Sequence, residues 1–167
     1  FVIAEGAAFL VLESMERALG RGATIHGEIS GYGRNSDAYH ITAPSPGGAG
    51  AARCMQLALE DAGLEPGDIG HINAHGTSTP LNDAAEAEAI AKIFGTPGPP
   101  VTSIKGIIGH ALGAAGSIEA VAVVQTIQHG LIPPTAGYAT ADPAMAPIDI
   151  VHGEPRPWTP GPVISNS

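Results

Sequence analysis

Cysteine is all but missing: Cys54 stands alone among 167 residues, so no intrachain disulfide can form, and the chain suits a reducing cytoplasm. Basic residues are scarce as well. Seven Lys and Arg against sixteen Asp and Glu leave a formal charge of -9, which argues against nucleic acid, a partner held by many cations facing phosphates. Long apolar runs are also absent. The longest, residues 118–127, is broken by Glu119, Gln125 and Thr126, so no membrane span is expected. The opening residues lack a basic stretch and an initiating Met, so they do not read as a secretory signal; they look like an interior cut. No internal repeat is present, and the abundant glycines and prolines are scattered as many tight turns and close helix contacts would scatter them. An apolar share of 44% with a mean hydropathy of +0.16 is enough for one sizeable core at this length, and disorder is not expected.

Two stretches stand out. In the first, residues 69–74 form an apolar run that reads as a buried strand, and His75, Gly76 and the hydroxyls of Thr77, Ser78 and Thr79 follow at once. Glycine after the histidine permits a sharp turn, which sets His75 at a strand's carboxyl end, where open α/β sheets hold ligands. Asp83 with Glu86 resembles a capping box opening a helix through Phe94, whose inner face is Ala87, Ile90, Ala91 and Phe94. The second stretch repeats the plan. A short strand, residues 101–103, passes through a loop carrying Lys105, Gly106, Gly109 and His110 into another helix. If the two strands are parallel neighbours, their carboxyl ends bring His75, Lys105 and His110 towards one cavity. By itself, a lone histidine after a strand is more often a hydrogen-bonded structural residue; the second stretch is what favours chemistry.

Elsewhere, residues 7–13 read as a central strand buried on both faces, and Ser14 as the cap of a short helix 15–19. Residues 23–32 alternate loosely and read as a strand whose glycines mark a bulge or close backbone packing. Residues 33–50 form a long loop, a common site of function, and 51–62 an amphipathic helix burying Ala51, Cys54, Met55, Ala58 and Leu59 before Gly63. Cys54 on that face is a small core residue, not a nucleophile. Residues 111–129 are apolar almost all round, which predicts a helix buried on most faces, with Gly113 and Gly116 admitting a close neighbour. Glu119 within it needs a partner, and Lys105 is the candidate. Residues 148–151 and 163–167 read as strands, and Trp158 as packing. His40 and His71 are assigned to structure, and the spacing of His71, His75 and His110 fits no compact zinc motif, so no metal is expected.

Glu5-Gly6-Ala7-Ala8, Ser36-Asp37-Ala38-Tyr39-His40, Asn73 through Pro80, and Lys105-Gly106 through Gly109-His110 to Gly116 together resemble the carboxyl-terminal half of a β-ketoacyl-[acyl-carrier-protein] synthase. The likeness is nearest the ketosynthase II group of the thiolase-like superfamily. It implies an α/β fold of α-β-α-β-α layers, with residues 1–20 ending an N-terminal half and 21–167 forming most of the second. It also implies decarboxylative condensation of malonyl-carrier protein with an acyl-enzyme thioester in fatty acid biosynthesis. His75 and His110 match the family's two site histidines, Lys105 its lysine, and Glu119 the carboxylate paired with that lysine. Thr77 and Thr79, and with them Thr42, match hydroxyls that contact phosphopantetheine; turn and cap chemistry is the other reading of these threonines.

The resemblance implies acyl carrier protein as partner, malonyl and acyl thioesters as substrates, a homodimer of the full-length protein, and no cofactor beyond the phosphopantetheine that the carrier brings. Two family features are not found here: the nucleophilic cysteine, and the Phe-Gly-Phe-Gly-Gly loop that follows the position of Ser167. The isolated chain is therefore expected to be catalytically silent. A polyketide ketosynthase uses the same chemistry on another starter, and a chain-length-factor-like partner would be a non-catalytic alternative. Joint retention of His75, Lys105, His110 and Glu119 speaks against the latter.

Overall fold

The computed structural model describes residues 1–167, and the parts that position the histidines are built on a small parallel sheet. Strands β1 (His71–Asn73), β2 (Val101–Thr102) and β5 (Val163–Ser165) lie in the order β2-β1-β5. Both pairings of β1 are parallel, with Ile72 opposite Val101 on one side and Ile164 on the other. A parallel pair needs a crossover, and helix α3 (Pro80–Phe94) supplies it between β1 and β2. The expected side-by-side carboxyl ends are therefore present. Helix α2 (Ala49–Ala62) packs on α3, and Ala52, Met55, Leu59, Ala89 and Ile90 from the two helices close over Ile72, Val101 and Ile164. Ile72 and Ile90 are fully buried, so the strand that leads to His75 is anchored at the centre of the core.

Local signals account for several other elements. Ser14 caps α1 (Met15–Gly20), its Oγ accepting from the Arg17 N–H at 3.4 Å. Gly63 ends α2 in the left-handed conformation. Helix α4 (Lys105–Ile108) follows β2, and α5 (Ala115–His129) lies against β5. A two-stranded antiparallel ribbon, β3 (Leu131–Ile132) with β4 (Arg156–Pro157), carries the chain around Trp158, whose indole fills the space beside Gly70 and packs edge-on to His71. No helix is long and apolar enough to cross a membrane.

Several expectations fail for a shared reason: pattern reports what a segment prefers to bury and is silent about what it meets. Residues 7–13 form no strand, and Phe9 and Val11 are 93% and 91% exposed, because no other segment of these residues reaches them. Residues 23–32 also lack strand pairing, although close backbone packing is found there: a Cβ on Gly31 or Gly33 would collide with carbonyl oxygens of α2. Helix α5 is half open, burying only Ala115, Glu119 and Thr126, and nothing approaches Gly113 or Gly116. Residues 148–151 add a single bridge, Val101 to Ile150, rather than a strand. Finally, α3 begins at Pro80 with Thr79 as N-cap, and Glu86 caps nothing.

Candidate active site

His75 leaves the end of β1 on a turn that is gripped from two sides. Gly76 takes φ +44°, and a Cβ there would come within 2.5 Å of the Ser103 side chain, so both conformation and space call for glycine. Ser103 Oγ donates to the Gly76 carbonyl at 3.1 Å. From the opposite side, Glu86 accepts the N–H of His75 at 2.7 Å through Oε1 and that of Gly76 at 2.8 Å through Oε2. The His75 ring is half-buried; its Nδ1 is sealed from solvent without a hydrogen-bond partner, while Nε2 is not sealed.

His110 is held by its main chain. The segment after α4 turns at Gly109, φ +69°, where a Cβ would lie 2.7 Å from that of Ala4. Residues 2–4 then run alongside: the His110 N–H donates to Val2 O at 2.8 Å, and the Ala4 N–H donates to His110 O at 3.1 Å. Phe1 packs edge-on against the imidazole at 5.2 Å. Its tautomer is fixed by Leu112, whose N–H donates to Nδ1 at 3.1 Å, leaving the proton of the neutral ring on Nε2. The two imidazoles stand 5.4 Å apart between centroids, at 85° to one another.

Lys105, at the start of α4, pairs with Glu119 of α5, and both are buried. Burial pushes the His75 pKa below its ordinary value, the Lys105 ammonium adds to this and His110 adds a little, while Glu119 and Asp83 oppose it. His75 is thereby kept neutral and able to donate an N–H at neutral pH. In front of His75 opens a cavity of about 750 Å³ lined by Asp37, His40, Thr42, Thr77 and Thr79 among others. The hydroxyls of Thr77 and Thr79 bond each other at 3.0 Å, and His40 Nδ1 accepts the N–H groups of Thr42 and Ala43, both at 3.1 Å. Thus His75, Thr42, Thr77 and Thr79 line one cavity, His110 stands edge-on to His75 without lining it, and the buried Lys105–Glu119 pair bears on the His75 ring through its charges. Cys54 is elsewhere, on α2, where its thiol donates to Gly33 O at 3.1 Å and burial raises its pKa.

Sequence reasoning overlooked three contributors. Glu86 resembled a helix cap, Ser103 was merely the end of a strand, and residues 2–4 carried no sign of their pairing to His110. Only the glycine before His110 offered a signal, since a residue next to a left-handed turn invites a close neighbour.

Known proteins resemble this chain along most of its length. The family described as "Beta-ketoacyl synthase, C-terminal domain" matches residues 26–139. The 3-oxoacyl-[acyl-carrier-protein] synthase 2 of Staphylococcus aureus is 50% identical over 156 residues, covering 92% of this chain and 38% of the relative. The solved structure of the ishigamide ketosynthase/chain length factor superposes with a TM-score of 0.89 at 44% identity, over 94% of this chain and 38% of that one. A type II polyketide synthase acyl-carrier protein in complex with its ketosynthase gives a TM-score of 0.83 at 38% identity, over 87% and 36%. The chain spans about two-fifths of the length of the curated relatives it matches. Its α/β architecture is that of thiolase-like ketosynthases.

Proposed function

The chain belongs to the β-ketoacyl synthase family, corresponding to the C-terminal part of a ketosynthase II-like member, and from that premise we propose that it supplies the decarboxylation site of a β-ketoacyl-[acyl-carrier-protein] synthase in fatty acid biosynthesis. On this reading residues 1–20 close the first thiolase-like half and 21–167 form most of the second. The observation that carries it is the pair of imidazoles 5.4 Å apart, with His110 bonded so that its proton sits on Nε2.

The chemistry needs two such donors. When malonyl-carrier protein loses carbon dioxide, the bond between the carboxylate and the α-carbon breaks, and its electron pair moves towards the thioester oxygen as an enolate. His75 and His110 donate N–H bonds to that oxygen, each such donor contributing about 10²–10³ in rate. The α-carbon then attacks the acyl thioester carried on a cysteine outside these 167 residues, and the thiolate leaves. Lys105 acts at a distance: its charge helps keep His75 neutral, and its pairing with Glu119 anchors the start of α4. Thr42, Thr77 and Thr79 line the cavity through which phosphopantetheine, brought by the carrier protein, would enter. The reaction calls for no resident cofactor, and the full-length protein acts as a cytoplasmic homodimer. Cys54 is unsuited as nucleophile, being half-buried with a raised pKa and a carbonyl partner, so these residues alone are inactive.

A polyketide ketosynthase is the second reading, favoured by the structural likeness to the ishigamide and type II polyketide proteins. Elongation of a saturated acyl-carrier substrate against a polyketide intermediate separates the two. For the site itself, His75→Ala or His110→Ala in the full-length protein should abolish malonyl decarboxylation while the cysteine still takes up an acyl group. Decarboxylation at near-normal rate in both variants would overturn the assignment.

A further inference from the structure

The main-chain ladder between β1 and β2 stops just before His75. Its last bond runs from the Ala74 N–H to Thr102 O at 2.8 Å, and beyond it the strands part into the loops that carry His75 and Lys105. One buried side chain bridges the gap. Ser103 Oγ donates to Gly76 O at 3.1 Å, and the same oxygen accepts the Lys105 N–H at 3.4 Å, a longer and weaker bond. A hydroxyl carries one proton and two lone pairs, so both bonds form at once, in one direction: Lys105 N–H to Ser103 Oγ–H to Gly76 O. Neither the Gly76 carbonyl nor the Lys105 N–H has a main-chain partner. Ser103 is itself fixed from behind. Its N–H donates to Thr135 Oγ1 at 3.2 Å, and the Thr135 N–H donates to Val151 O at 2.7 Å.

We propose that Ser103 is a positioning residue for the decarboxylation step: its hydroxyl couples the turn of His75 to the start of α4, the segment that leads on to His110, and so sets the spacing of the two imidazoles. This rests on the reading of both histidines as enolate donors. The other restraints on the two rings act on each loop separately, from α3 on His75 and from residues 2–4 on His110. Between residues 75–79 and 103–110 the Ser103 hydroxyl is the one hydrogen-bonded link. Its place is prepared by Gly76, where a Cβ would lie 2.5 Å from that of Ser103 and 2.7 Å from its Oγ. Ser103 does not act on the reacting atoms. Its oxygen is engaged with main-chain groups on both sides, so its loss should affect the chemical step more than binding.

The test uses the full-length protein carrying this chain, with Ser103→Ala, Thr135→Val and His75→Ala measured in parallel. Alanine keeps the Cβ that packs against Gly76 and removes only the bridging oxygen. An error of about 1 Å in a reacting group costs about 10²-fold, and the N–H groups of His75 and Gly76 remain held in this variant, so a smaller drift is expected. Ser103→Ala should therefore lower kcat for malonyl-carrier decarboxylation by about 5- to 30-fold. KM and the rate of acyl transfer to the nucleophile should stay within about threefold, a split that general loosening of the fold would not give. Thr135→Val takes away the acceptor of the Ser103 N–H and leaves the bridge itself, so the same selective loss should be weaker, about 2- to 5-fold. Unchanged decarboxylation in a folded Ser103→Ala variant, or parallel loss of acylation and decarboxylation, overturns the inference. Should Ser103→Ala fail to fold, unchanged kcat in Thr135→Val overturns it. His75→Ala separates the two levels: if it retains decarboxylation, the role of His75 itself is wrong, whereas if it is dead and Ser103→Ala is normal, only the coupling role falls.

Discussion

Replacing His71 with phenylalanine should make the fold much less sensitive to acid. His71 lies in β1 at 1% exposure, edge-on to Trp158 with ring centroids 6.0 Å apart, and neither ring nitrogen has a hydrogen-bond partner. Burial lowers its pKa from 6.5 to about 4. The unfolded chain therefore takes up a proton near pH 6.5, which the folded chain refuses until about pH 4. Stability tied to this group is complete above pH 6.5, falls as the pH drops towards 4, and levels off below. A displacement of about 2.5 units at ~1.4 kcal/mol each gives a full loss of about 3 kcal/mol, of which about 2 kcal/mol is gone by pH 5. Phenylalanine keeps a flat ring against Trp158 and removes a buried N–H without an acceptor, a feature that costs about 1–3 kcal/mol, so stability at pH 7 should hold or rise. Urea unfolding at pH 7 and pH 5 reads the effect, with Trp158, the chain's only tryptophan, as a local probe. The variant should lose about 2 kcal/mol less than the parent between the two pH values. An equal loss in both proteins would show that His71 is not the group titrating, and the argument from its burial would be refuted.

Two further changes test the supports behind the site. Lys105→Met leaves Glu119 fully buried and unpaired and should cost about 3–5 kcal/mol in denaturant unfolding, most of which Lys105→Met with Glu119→Leu should recover; no loss in the single variant would show that the pair is not buried as described. Gly106→Ala would drive a Cβ into the Ala136 carbonyl and should lower stability by about 1–3 kcal/mol while shifting α4, and an unchanged thermal midpoint would contradict that close approach.

The parts of the fold that could be read from the chain are those whose causes are local. The buried run leading to His75, the helix from Ala49 to Ala62 closed by Gly63, and the cap at Ser14 each follow from neighbours a few residues away. Residues 7–13 show the opposite case. Their apolar run has the composition of a central strand, yet strand formation depends on a partner edge, and composition carries no record of where that edge is. Helix α5 fails in the same way: an apolar circumference states a demand for burial, and only the tertiary contacts decide how much is met. Glu86 was misread for a subtler reason. Three residues after Asp83 it fits a local capping rule, whereas its real partners lie ten, eleven and eighty residues away in sequence.

The same distinction explains why the two histidines were recognisable as residues but not as a geometry. Neighbouring parallel strands are about 4.8 Å apart, so loops leaving β1 and β2 begin close together, and His75, two residues beyond β1, inherits that closeness. His110 does not. It comes eight residues after β2, beyond α4, and returns to His75 only because Gly109 turns the chain and residues 2–4 bond both its N–H and its carbonyl. The 5.4 Å between the rings thus depends on two clamps of unlike origin: a carboxylate from α3 on one side, and a segment more than a hundred residues upstream on the other. On the proposed reading, in which both rings donate to one oxygen, little drift in either clamp is tolerated. Both clamps act through the main chain, so neither occupies an Nε2 atom; the ring nitrogen that is engaged is His110 Nδ1, by the Leu112 N–H.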